Sequence, residues 1–278
     1  MNNATKAALF GGALFCAGMA DAKDTYRIHG PASYASTSGY ALDDAVMQPF
    51  LDALRNPYNF SHLFSYVDTS IEIGFLWATL DSNELANADC LISPWILDTD
   101  LTGSELNAAW RHFREGGDLL LFNDDSSHDA IGAYLGIPTV DGVSSSTFND
   151  TTFPFNGPFG TTSSVELGGI IGHLEAAHVL GTGGQVLALN GAGEIIVAFW
   201  EENAYTPGSG RMIIVSDVNT ITTRATYAPL DDNGRFALNL VAGLIGADGC
   251  NIADCDSNGV LNVDDVECFV DTFLGGCN

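Results

Sequence analysis

Positive charge is scarce in this chain: nine Lys and Arg stand against 35 Asp and Glu, a formal net charge of −26 over 278 residues. Such a surface repels a polyanion over most of its area, which excludes nucleic acid as a partner. Long apolar runs are missing as well. No segment approaches the ~20 consecutive apolar residues that a spanning helix needs, so no transmembrane segment is expected in the mature protein. The common hydrolase motifs are also lacking, with no G-x-S-x-G elbow and no H-E-x-x-H pair. Cysteine is nearly absent from the long middle. After Cys16 the body holds only Cys90, while Cys250, Cys255, Cys268 and Cys277 crowd the C-terminal end.

What is present suits a folded, exported protein. A hydrophobic content of 46% can fill a proper core. The opening stretch "MNNATKAALFGGALFCAGMADA" carries one lysine, a short apolar run and small residues near Ala20 and Ala22, the pattern of a secretion signal over residues 1–22. Phe15 before Cys16 is too bulky for lipoprotein processing. The mature chain is therefore expected to be secreted, extracellular or on the cell surface. In that setting a local, even cysteine set at the C-terminus reads as disulfides, and Cys90 inside "NADCLISPW" reads as a buried thiol.

Residues 23–246 alternate strand and helix signals. "DTYRIHG" reads as an opening strand, "LDDAVMQPFLDAL" has helical apolar spacing, and "ADCLISPW" is a continuous apolar run of the kind buried on both faces of a parallel sheet. "TGSELNAAWRHFREGG" follows, with Thr102 as N-cap, Glu105 three residues on, and Gly116 and Gly117 to stop the helix. "DLLLFND" comes next, completing a βαβ unit. Later "EIIVAFW" and "RMIIVSD" read as strands and "NGRFALNLVAGLIG" as a closing amphipathic helix, whereas 138–165, rich in Thr, Ser, Asn, Gly and Pro, reads as a surface insertion. The four tryptophans, Trp77, Trp95, Trp110 and Trp200, lie in segments expected to be core.

The run "ADCLISPWILDTDLTGSELNAAWRHFREGGDLLLFND", with "RMIIVSDVNTI" and "FALNLVAGLI", resembles the non-enzymatic branches of the class I glutamine amidotransferase-like fold. The resemblance implies an α/β domain with a mostly parallel, flavodoxin-like sheet flanked by helices. Amidotransferases carry a nucleophilic cysteine at the turn after the strand that here reads "LLLFND". This chain has Asn123, Asp124, Asp125 and Ser126 there. In open α/β sheets ligands gather at the carboxyl ends of the strands, so "NDDSSHD" and Asp217 with Asn219 are the places to look. Asp124, His128 and Asp217 could hold a metal, or Ser126, His128 and an Asp could act on a substrate. The simpler expectation is that Asp124 and Asp125 cap the helix "HDAIGAYLG". His173 and His178 are five apart and do not share a helical face.

The tail, 247–278, follows the twelve positions of a calcium loop. Asp254, Asp256 and Asn258 occupy positions 1, 3 and 5, Gly259 the turn, Val260 the carbonyl at 7, Asn262 position 9 and Asp265 position 12. Val266, Phe269, Val270, Phe273 and Leu274 then follow helical spacing. The stretch "GCNIADCDSNGVLNVDDVECFVDTFLGGCN" resembles the single-repeat, cysteine-flanked tails of GC-type dockerin domain-anchored proteins. That resemblance implies a Ca2+-binding module that docks to a cohesin-like or envelope protein. A segment this short cannot bury enough apolar surface to hold itself together, so metal and disulfides would stand in for a core. Three pairings are open. Cys250 with Cys277 and Cys255 with Cys268 is favoured, because it ties the two ends and Cys268 lies off the apolar stripe.

The expectation is therefore a secreted binding or scaffold protein, with a non-catalytic α/β body and a calcium-dependent docking tail. The rival is a secreted hydrolase, acting for example on polysaccharide, with its site at Asp124, His128 and Asp217.

Overall fold

A computed structural model describes residues 25–33, 39–60, 70–143, 145–148, 154–169 and 171–245. The secretion signal, the calcium loop and the four C-terminal cysteines lie outside the described residues. In chain order the elements are β1 (Thr25–Pro31), α1 (Gln48–Arg55), α2 (Pro57–Phe60), β2 (Ser70–Leu76), α3 (Ser82–Leu85), β3 (Cys90–Ser93), α4 (Gly103–Arg114), β4 (Asp118–Phe122) and α5 (Ala130–Tyr134). Then come β5 (Thr139–Asp141), β6 (Thr147–Phe148), β7 (Asn156–Gly157), β8 (Gly160–Thr161), β9 (Val165–Glu166) and β10 (Gly172–Leu174). The chain continues through α6 (Ala176–Gly181), β11 (Gln185–Leu189), β12 (Ile195–Trp200), β13 (Met212–Val215) and α7 (Asp232–Leu244).

Nine strands form one mixed sheet in the order β2-β1-β3-β4-β13-β12-β10-β5, with β11 added beside β12. The run from β2 to β13 is parallel, and β12, β10, β5 and β11 join antiparallel. This is the α/β architecture expected from the sequence. Its central strands are buried throughout, because helices cover both faces and each strand alternates between two cores. Leu120, Phe122, Ile213 and Val215 face α1 and α7, whereas Leu119, Leu121, Met212 and Ile214 face α4, α5 and α6.

The βαβ unit forms where the sequence placed it. Thr102 caps α4 as expected: its hydroxyl accepts from the Glu105 amide at 3.4 Å, and Glu105 returns a carboxylate to the Thr102 amide at 2.8 Å. Gly116, at φ 99°, ends the turn in the left-handed region. Thr102→Ala is expected to cost about 1 kcal/mol, the usual worth of such a cap, read as a lower urea midpoint at unchanged slope.

Three expectations are corrected. The helix anticipated over "LDDAVMQPFLDAL" begins only at Gln48, because 42–47 forms turns and the Asp44 carboxylate is taken by the Ala41 amide at 2.8 Å. The 138–165 segment is not merely a surface insertion. Phe148 and Phe155 are buried with Phe236 of α7, ring centroids 5.4–5.5 Å apart, and Asn239 of α7 donates to the carbonyls of Pro154 and Gly160. A few large apolar side chains thus anchor a polar-looking stretch. Among the tryptophans, Trp200 is fully enclosed, Trp95 and Trp110 are half-buried, and Trp77 is 63% exposed just beyond β2.

Candidate functional site at the strand ends

β4 and β13 are adjacent and parallel, with Phe122 beside Val215, and each ends in the same sequence: apolar strand, one small polar residue, aspartate. Carrying the register two residues further places Asp124 beside Asp217. The period of two then puts both on the face of Phe122 and Val215, under α1 and α7. Both carboxyls are almost wholly buried, 2% and 0% exposed.

Their partners are backbone amides. Asp124 accepts from the Val218 amide at 2.7 Å. Asp217 accepts from the Gly168 amide at 2.6 Å and from the Asn219 amide at 2.7 Å, capping the single 3-10 turn Val218–Thr220. Burial pushes Asp124 well above the ordinary carboxyl range, and the neighbouring Asp217 pushes it further. Burial raises Asp217 to about 7, against the pull of its amide donors and Arg224. Both carboxyls therefore hold a proton more tightly than an ordinary aspartate does.

Asn219 is the hub beside this pair. Its side-chain carbonyl accepts from the Tyr40 hydroxyl at 3.0 Å and the Thr223 hydroxyl at 2.6 Å, and its amide donates to the Gly168 carbonyl at 2.6 Å. Tyr40 meets Trp95 edge-on at 5.2 Å, and Trp95 stacks on His128 at 4.0 Å. The strand-end candidates do not converge on one reacting point. His128 belongs to Asp125, with Nδ1 2.9 Å from each carboxylate oxygen. Asp125 also accepts from the Ser127 amide and hydroxyl. Burial pushes Asp125 up, but the Ser127 and His128 bonds outweigh it and leave its carboxyl below the usual value.

The expected capping of the next helix is corrected. α5 begins after Asp129 with no side-chain cap, while Asp124 serves Val218 and Asp125 closes its own turn. The serine–histidine expectation fails in geometry too. Ser127, not Ser126, meets His128, at 3.1 Å and through Nδ1, the nitrogen that also faces Asp125. A serine nucleophile needs the opposite ring nitrogen as its base. Among the described residues no group of three His, Cys, Asp or Glu is arranged to hold a metal. His173 bonds the Gly142 carbonyl and His178 approaches Glu175, so each has a local partner. Cys90 is buried, and burial raises its thiol well above the ordinary value, far from a reactive thiolate.

Gly172 shows how closely the added antiparallel strands approach the pair. A Cβ there would lie 2.9 Å from the Asp124 carbonyl oxygen and 2.7 Å from that of Val140. The residues that sequence reasoning missed are Tyr40, Trp95 and Gly168. They come from three distant segments, and no spacing links them.

Fold and site together define an α/β protein with a nine-stranded mixed sheet and a buried carboxyl pair at the ends of two central strands. No family model matches the chain, and no curated relative matches it in sequence. Solved structures do share the fold. The N-terminal domain of mmIFT52 superposes with a TM-score of 0.53 at 13% identity, covering 79% of this chain and 96% of that one. Cytoplasmic Protein STM3548 from Salmonella typhimurium gives 0.50 at 11% identity, covering 78% and 98%. A putative thua-like protein from Bacteroides uniformis gives 0.43 at 13% identity, covering 85% and 96%. At these identities the first two likenesses speak to fold alone.

Proposed function

We propose that this chain is a secreted, non-catalytic binding or scaffold protein whose 247–278 tail binds calcium and docks it to a cohesin-like or envelope protein. The observation that carries the non-catalytic reading is the engagement of Asp124 and Asp217 with the amides of Val218, Gly168 and Asn219. Carboxyls buried in this way hold loops to strand ends. A hydrolase needs them facing a substrate, with a base on the far side of the nucleophile. Calcium is supported by the donor set: Asp254, Asp256, Asn258, Asn262 and Asp265 with the Val260 carbonyl supply the hard oxygens that the ion takes.

The hydrolase reading keeps one point in its favour, since strongly shifted carboxyls such as Asp217 concentrate at catalytic sites. The pattern of bonds weighs more, because it accounts for the shift by burial without a reacting group.

Two measurements test the proposal. Calorimetric titration of the full oxidised chain should show calcium uptake that Asp265→Ala weakens severely and Asp254→Ala likewise. Capture of an envelope protein by the wild-type chain should be lost with chelator. Unchanged uptake in Asp265→Ala sinks the calcium assignment, and turnover of a polysaccharide that disappears in Asp217→Asn revives the hydrolase.

A further inference from the structure

The end of the sheet furthest from β2 carries a second feature that the strand-end site does not use. Among the described residues β11 pairs with β12 alone, and on the face covered elsewhere by α4 and α5 the helical cover dwindles to the six residues of α6. Leu174 and Ile195 form a buried floor there. Val186 and Leu189 of β11 stand 36% and 44% exposed above it. Glu175 and Glu194 flank the concavity, an open groove of about 660 Å3 that His173 also lines. Glu194 accepts from the Asn190 side chain at 2.6 Å and Glu175 lies 3.5 Å from the His178 ring, and among the described residues no Lys or Arg lines the groove. Single exposed apolar residues are ordinary on protein surfaces, but here two stand together over a buried apolar floor in one concavity, an arrangement suited to docking.

We propose that this groove docks a short segment of a partner protein, apolar at its centre and carrying Lys or Arg on its flanks. The apolar centre would cover Val186 and Leu189, and the flanking cations would meet Glu175 and Glu194. Charge decides against a second copy of this chain as occupant. Two molecules of net charge −26 would bring like-charged groove walls together. Shape decides against a small ligand, since such sites enclose about 70–90% of the ligand surface and this groove is open. The pairing of β11 with β12 slips between Val186 and Ala188 and again between Ala188 and Leu189. An irregular edge of this kind is a poor template for an added strand, so the segment would be read by side chains on the face of the sheet.

The test uses the full chain and two synthetic peptides of equal charge, both with paired lysines at each end, one with a Leu-Val-Ile-Leu centre and one with a Ser-Gly-Ser-Gly centre. Fluorescence anisotropy should show the apolar-centred peptide binding about tenfold more tightly. The double substitution Val186→Ser with Leu189→Ser should abolish that preference at an unchanged unfolding midpoint, and Glu175→Gln should weaken both peptides. Equal binding of the two peptides, or no binding of the apolar one, overturns the proposal. Retention of the preference in the double variant overturns it too, as does a concentration-dependent dimer that the same variant dissolves.

Discussion

Asp217→Ala should lower the stability of the body by about 3 kcal/mol at pH 7, and do so without touching a substrate. The carboxylate accepts from two buried amides, of Gly168 and Asn219. Leaving a buried donor without a partner costs roughly 1–3 kcal/mol each. Part of that cost is offset, because the alanine also removes a buried carboxyl and its repulsion of Asp124. The two amides outweigh the offset, since each is buried and each loses its carboxylate acceptor, even though the Thr220 hydroxyl still bonds the Asp217 carbonyl. Asp217→Asn keeps one acceptor and should lose less than half as much. Urea unfolding at constant slope reads the difference, and hydrogen exchange should speed up at both Gly168 and Asn219 in the alanine variant but at only one of them in the asparagine variant. A loss below about 1 kcal/mol would mean that water replaces the carboxylate, and that the site is more open than its burial implies.

The fold was legible because the strands of a covered sheet advertise themselves. "CLIS", "LLLF", "IIVAFW" and "MIIV" are fully buried runs, and each forms a strand. Capping chemistry located the start of α4 at Thr102. Composition misled where burial depends on a few large side chains: in the 138–165 segment, Phe148 and Phe155 pack on Phe236, contributed by a helix far along the chain. The candidate site was half legible. Two strands ending in a small polar residue and an aspartate announce Asp124 and Asp217, and topology then sets them side by side. Their partners could not be read in the same way. Backbone amides of Gly168 and Val218 have no sequence signature, and the link from Tyr40 to Asn219 spans 179 residues. His128 illustrates the opposite error, a chemically suggestive residue whose partner is simply the carboxylate three positions before it.

The buried pair also sets the sign of the pH dependence. A carboxyl whose pKa is higher folded than unfolded binds its proton more tightly in the native state, so its contribution to stability is complete below the unfolded value and is lost as pH rises through the folded one. Asp217 rises from 3.8 to about 7, and burial raises Asp129 from 3.8 to about 6. Asp125 and Asp232 are shifted the other way, and what they contribute is lost only as pH falls below about 4. Stability should therefore peak in mild acid and decline from pH 5 to pH 7. Each proton held only by the native state contributes about 1.4 kcal/mol per pH unit to that decline. General repulsion among the acidic side chains predicts the same direction, so direction alone proves nothing. Salt separates the two causes, because it screens surface charges but barely reaches a pair this buried. Asp124→Asn separates them again: the amide oxygen can still accept from Val218, while the titrating carboxyl and its like charge are gone. In high salt the wild-type unfolding midpoint should keep falling between pH 5 and pH 7, and that of Asp124→Asn should fall less steeply over the same interval. Parallel profiles would assign the slope to the surface and leave Asp124 and Asp217 as loop anchors alone.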